Sequence, residues 1–278
     1  MGRIINITTI RDSSAIGGSS LTEVVDSLAW SLSELGNAVG ITSNWLANDP
    51  NILNIMFLTN SMPVDTVLPP NIIMYHVEQW LEKKAVELAG DCEVWDYSLE
   101  NYGKWRSLGK KNVRYVPFGY TPILTRIPKK PQEGIDVLFY GHPTPRRRQL
   151  IEDLKKAGLK AWMSLGSGTC FGGARDSLIS MSKIVLNVHQ DPLLNTFEMA
   201  RVSYLMANSK CVVSEVSADD CDYTELDGGL VRVPYEGIVA KCQQLLIDDD
   251  DRWTLEGNAL EAIRKRDYTA QLRKVLSI

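Results

Sequence analysis

Short β-branched and aliphatic runs alternate with longer amphipathic segments along the whole 278-residue chain, and this rhythm limits the fold more than any single motif does. Strands that alternate with helical segments pair in parallel, because each crossover helix must pack back onto the sheet it leaves. The first half reads as strands near 3–9, 39–43, 53–58, 71–75, 92–95 and 113–116, with helices near 20–36, 79–89 and 98–108. Leu21, Val24, Val25, Leu28, Leu32 and Leu35 share one face of the first helix; Ser20 and Glu23 stand in capping-box relation at its start, and Gly36 at its end. Residues 121–134 hold three prolines and two lysines with no usable period, which predicts a linker. Beyond it come strands near 135–140, 160–164, 184–188, 211–214 and 230–233, with helices near 146–157, 174–181, 196–208, 236–247 and 250–264. The expectation is an α/β protein of two Rossmann-like domains, 1–120 and 135–278, facing a cleft.

Apolar residues at 44% and charged residues at 23% are the balance of a packed globular chain. The five cysteines are scattered, with no CxxC pair, so reduced thiols are expected. The residues from Met1 to Ile7 carry no signal-peptide core, and no 18-residue apolar run occurs, which predicts a cytoplasmic protein without a membrane span. A net charge of −4 gives no overall pull toward nucleic acid, although basic residues gather at Lys129-Lys130 and Arg146-Arg147-Arg148.

Ligands of open α/β sheets bind beyond the carboxyl ends of the strands, so residues just after each strand carry the chemistry. Asp12 lies between the first strand and the first helix, beside Gly17 and Gly18, where the backbone could approach a phosphate or an acceptor hydroxyl; an ordinary glycine-rich turn accounts for the loop equally well. His76 and Glu78 follow the strand near 71–75 and offer an imidazole and a carboxylate for general-base work or sugar hydroxyls, or else form a plain surface turn. Arg146 and Arg147 open a helix, where cations oppose the macrodipole; a bound diphosphate would compensate them, and a solvated basic turn is the alternative. Asn187 and His189 end another strand, and Glu198 and Arg201 stand three apart at the next helix, as a carboxylate for ribose and a guanidinium for phosphate or as a simple salt bridge. Asp248 to Asp251 read as a solvated loop between helices rather than a metal site.

In order along the chain, Tyr75-His-Val-Glu-Gln79, Asp96-Tyr-Ser98 with Asn101, Val116-Pro-Phe-Gly-Tyr120, the stretch from Asp136 to Arg148, the stretch from Arg175 to His189 and the stretch from Phe197 to Glu215 resemble bacterial and phage glycosyltransferases of the GT-B superfamily. The second half resembles more distantly phage enzymes that glycosylate hydroxymethylated DNA bases. The resemblance implies transfer of a hexose or pentose from a nucleoside-diphosphate sugar, UDP- or GDP-linked, to a hydroxyl of a glycan, a small molecule or modified DNA, with no metal required. It puts Arg146 and Arg147 near the diphosphate and Glu198 with Arg201 near ribose and phosphate; Gly17, Gly18 and His189 are donor-side candidates from their places beyond strands, since the first 60 residues match the family only in pattern. One departure stands out: many of these enzymes carry Glu where this chain has Tyr204. Of the first-half residues, Asp12 is favoured over His76 and Glu78 as a base. A non-catalytic nucleotide-sugar-binding or scaffold protein is the alternative function.

Overall fold

The computed structural model describes residues 2–9, 21–58, 67–129, 133–165, 170–193 and 195–276. The chain divides into two compact α/β units, Met1–Ile123 with Asp267–Ile278, and Leu124–Arg266.

The first unit is built on a parallel six-stranded sheet of β1 (Ile4–Thr9), β2 (Ala38–Ser43), β3 (Ile52–Leu58), β4 (Ile72–His76), β5 (Glu93–Asp96) and β6 (Val113–Tyr115), ordered β2-β1-β3-β4-β5-β6. Helices α1 (Thr22–Glu34), α2 (Lys83–Ala89) and α3 (Leu99–Ser107) cover it. Every residue of β4 is buried, as expected for a central parallel strand with both faces packed. Met56, Met74, Val94, Leu88 and Trp105 form one of its cores. Leu21 stands at the start of α1 without a side-chain cap, and Ser20 of the expected capping box lies outside the described residues. Gly36 ends the helix at φ +85°, a conformation that glycine adopts without a Cβ penalty.

The second unit is a parallel five-stranded sheet of β7 (Ile135–Gly141), β8 (Ala161–Leu165), β9 (Ser182–Asn187), β10 (Cys211–Glu215) and β11 (Val231–Val233), ordered β11-β10-β9-β7-β8. Its helices are α4 (Pro145–Lys156), α5 (Gly172–Ser180), α6 (Met199–Ala207), α7 (Ile238–Ile247) and α8 (Asp249–Arg264). Val137, Phe139, Leu150, Leu154, Ile184, Leu186, Val213 and Leu245 pack into one core. Asp248 caps α8 by accepting from the backbone amides of Asp250 and Asp251, so the acidic run is a helix start where carboxylates favour the dipole, and not a loop.

The units differ in two places from the domains expected at 1–120 and 135–278. Residues 124–127 belong to the second unit, because Asn208 at the end of α6 accepts from the amides of Arg126 and Ile127 at 2.8 and 2.7 Å and donates to Leu124 O at 2.8 Å. From Asp267 the chain rejoins the first unit, where α9 (Tyr268–Leu276) packs on α1. Tyr268 fastens it: its amide donates to Tyr120 O at 3.1 Å, and its buried hydroxyl lies 3.1 Å from that of Tyr75.

Candidate functional site

The strand order of the second sheet reverses between β7 and β9, and a crevice opens beyond the carboxyl ends of strands at such a point. The sequence puts arginines on both sides of it. Gly141, the last residue of β7, has φ +139°, a conformation that favours glycine, and a Cβ there would come 3.1 Å from Arg201 Nη2, close enough to push that guanidinium by a few tenths of an ångström. Gly141→Ala is expected to destabilise the protein by about 1–3 kcal/mol through backbone strain, read by denaturant unfolding.

Thr144 then caps α4, accepting from the amide of Arg147, with Pro145 in the first turn. Arg146 forks onto Glu215, the last residue of β10, with Nη1 to Oε2 at 2.8 Å and Nη2 to Oε1. Its guanidinium stacks 3.7 Å from the ring centroid of Tyr235. Arg147 is buried and bridges the crevice, donating through Nε and Nη2 to Val188 O at 3.0 and 2.6 Å and through Nη1 to His142 O at 2.9 Å. Burial, and then the Arg201 charge, pull its pKa down to about 9, which leaves it protonated at neutral pH. The opposition of these cations to the helix dipole, which the sequence alone would relieve with a diphosphate, is thus met at Arg146 by a carboxylate of the protein and at Arg147 by carbonyls; Arg148 points to solvent.

His189 donates its amide to Glu215 Oε2 at 3.1 Å, and its Nε2 lies 3.1 Å from Val216 O, so that nitrogen carries the ring proton. Burial lowers the pKa of the ring. Glu198 stands at the N-cap of α6 without capping through its side chain, and its charge acts on both Arg147 and His189. Arg201, one turn into α6, donates Nη1 to Asn187 Oδ1 at 2.8 Å and passes over the rings of Phe139 and Tyr140, each centroid 5.5 Å from Cζ. Its Nε is buried and has no hydrogen-bond partner among the described residues. Arg146, Arg147, His189, Glu198 and Arg201 therefore gather at one strand-order reversal, where Arg201 keeps a buried donor without a partner among the described residues.

The loop that carries Glu198 is pinned by Asp219, whose Oδ1 accepts from the Phe197 amide at 2.8 Å. Burial pushes the Asp219 carboxyl up to about 6 from 3.8. The folded state then binds the proton more tightly than the unfolded chain, so stability is fullest below about pH 4 at this group and is lost as pH rises through about 6. Asp219→Asn keeps the acceptor and removes the ionisation. Relative to wild type it is expected to gain about 1–3 kcal/mol above pH 6 and little below pH 4, measured by urea unfolding across that range.

In the first unit, His76 is the last residue of β4 and is wholly buried, not part of a surface turn. Its Nδ1 lies 2.7 Å from Asp96 Oδ2, which also accepts from Trp105 Nε1 at 2.9 Å, while Asp96 Oδ1 accepts from the Ser98 amide at 2.8 Å. With both carboxylate oxygens accepting from N–H groups, the hydrogen-bond geometry places the His76 ring proton on Nδ1. That leaves a lone pair on Nε2, which is buried with no partner among the described residues. Glu78 is half-buried just beyond, its carbonyl accepting from Asn101 Nδ2 at 3.1 Å. Asp12, Gly17 and Gly18 lie outside the described residues.

Among solved structures the chain is similar to HepE from Anabaena in complex with UDP and glucose, 11% identical over 98% of this chain and 99% of that one with a TM-score of 0.63. It is equally similar in fold to WaaG, a glycosyltransferase involved in lipopolysaccharide biosynthesis, 9% identical over 98% of each chain at 0.62. TarM matches over 84% of this chain and 55% of its own, 14% identical at 0.59. These share two parallel α/β units with this protein. The chain has the GT-B fold. Uncharacterized proteins of Acanthamoeba polyphaga mimivirus share sequence with this GT-B chain: one is 27% identical over 213 residues, 72% of this chain and 73% of the relative. Another is 33% identical over 155 residues, 54% of this chain but only 17% of its own length. No family model matches. No helix among the described residues of the GT-B chain is long and apolar enough to cross a membrane.

The sequence reading missed Glu215, Asp96 and Trp105 as parts of these arrangements. Glu215 and Asp96 could have been found as carboxylates closing strands, since a buried carboxylate needs donors.

Proposed function

We propose that this chain is a glycosyltransferase that moves a sugar from a nucleoside-diphosphate sugar to a hydroxyl acceptor, with the donor held by the second unit. The observation that carries the reading is the open Nε of Arg201 beside Arg147 at the β7/β9 reversal of a GT-B fold. Guanidinium groups there suit a diphosphate, stabilising the charge that grows on it as the glycosidic bond breaks. Glu198 is assigned to the ribose hydroxyls, whereas His189 shapes the crevice through its bonds to Glu215 and Val216. That HepE was solved with UDP and glucose supports a UDP-sugar as the first donor to test.

The acceptor-side base is assigned to His76. Asp96 faces its Nδ1, which leaves the Nε2 lone pair for the proton of the attacking hydroxyl; because Nε2 is closed to solvent, that transfer requires the side chains over it to move aside when the acceptor binds. The hydroxyl oxygen then bonds the anomeric carbon, and the diphosphate leaves with the electron pair of the broken bond. Among the sequence candidates, Asp12 would compete for this role.

Incubation with UDP- and GDP-sugars, alone and with glycan, small-alcohol or hydroxymethylated DNA acceptors, tests the reading. Transfer to an acceptor is the expected result. Tight donor binding with neither transfer nor hydrolysis would instead establish a non-catalytic binding protein, and no binding of either nucleotide class would overturn both.

A further inference from the structure

Resting on that donor reading, we infer that Asn187 is the positioning residue that aims Arg201 at the donor phosphates. Asn187 ends β9 and is 1% exposed, and its Oδ1 takes the one hydrogen bond that the Arg201 side chain makes among the described residues. Among the described residues that guanidinium also passes over the faces of Phe139 and Tyr140, which attract a cation without setting its rotation about Nε. Direction must therefore come from Asn187.

The amide of Asn187 is itself locked. Its Nδ2 donates to Ser214 Oγ at 3.0 Å, and Ser214 Oγ donates to Glu215 O at 2.9 Å, so neither hydroxyl nor amide can reverse without setting donor against donor. Ser214 is wholly buried in the adjacent strand β10. The relay runs from a rigid strand through Ser214 and Asn187 to Arg201, and it occupies Nη1 while leaving Nε free. Gly141 completes the arrangement by keeping its own position clear of Nη2. A guanidinium held by one edge presents the other edge in a fixed fork, the geometry that two phosphate oxygens require.

The test is a double-mutant cycle read by calorimetry with UDP and GDP, using the nucleotide that binds wild type more tightly, with melting temperature measured on each variant. Asn187→Leu keeps the volume and removes the acceptor, and is expected to weaken binding by about tenfold, the worth of one hydrogen bond to a charged group. In an Arg201→Ala background the same change is expected to cost less than about twofold, because the group it positions is gone. Ser214→Ala, which frees the amide but barely alters the core, should weaken binding by about threefold and likewise lose its effect without Arg201.

Equal losses in both backgrounds would show that Asn187 acts on the fold generally, and would overturn the inference while leaving the donor reading intact. Unchanged binding in Asn187→Leu, or in Ser214→Ala should the former fail to fold, overturns it as well. If Arg201→Ala alone leaves affinity unchanged, or if neither nucleotide binds wild type, the donor reading fails and this inference fails with it.

Discussion

Asp96→Asn is expected to lower turnover by about 10² to 10⁴ while leaving donor affinity within about twofold of wild type. The carboxylate oxygens accept from His76 Nδ1, Trp105 Nε1 and the Ser98 amide, and these bonds fix the His76 tautomer. An asparagine keeps Oδ1 for Ser98 but turns an NH2 toward two N–H groups. His76 must then move its proton to Nε2 to give Nδ1 a lone pair, and the lone pair that would receive the acceptor's proton is lost. Trp105 Nε1 is left facing a donor, which costs about 1–3 kcal/mol of stability, so turnover must be expressed per folded molecule. His76→Gln should give a similar fall in turnover, and the double variant no further one, because the two residues act as a unit. Full specific activity in folded Asp96→Asn protein would make the pair a structural tie between β4, β5 and α3 and return Asp12 to first place as the base.

Arg201→Ala is expected to weaken donor binding by about tenfold to a hundredfold, the loss of one or two charge-assisted hydrogen bonds. The same change at Arg146 should cost less, since Arg146 already forks onto Glu215 and stacks on Tyr235, and a diphosphate would have to compete with both. Glu198→Ala should weaken nucleotide binding but not binding of inorganic pyrophosphate, because the carboxylate is assigned to ribose. Calorimetry on the three variants with UDP, GDP and pyrophosphate separates these contributions. Equal sensitivity of pyrophosphate to Glu198→Ala and Arg201→Ala would remove the ribose assignment.

The arginines illustrate how far the residues could be read in order. Arg146, Arg147 and Arg201 were legible as a group because each lies just past a strand or one turn into a helix, and strand ends converge in a parallel sheet. Their different states were not. Arg146 is neutralised by a carboxylate 69 residues away, a pairing that local spacing cannot express, while Arg201 was matched to Glu198 by helical period although its hydrogen bond runs to Asn187 in the strand alongside. A strand ending at 75 leaves His76 either as a strand-end base or as part of a surface turn; in the sheet it is the buried last residue of β4, beside Asp96. The segment after 264 carried no helix signal strong enough to name, since α9 buries only Tyr268 and Leu272 and depends on α1 for its place.

What the sequence determined by itself is the alternation of strands and helices, hence two parallel α/β units, and the placing of polar residues at the ends of apolar strands. Those properties follow from period and side-chain shape over a few residues, and they act before any distant contact forms. Only the tertiary structure decided that Asn208 draws residues 124–127 into the second unit, that Tyr268 returns the last helix to the first, and that Arg201 keeps a buried Nε without a partner among the described residues. Each of these is settled by burial: a polar group taken out of water must find a partner, and the partner available is the one the fold brings near, however far away it lies along the chain.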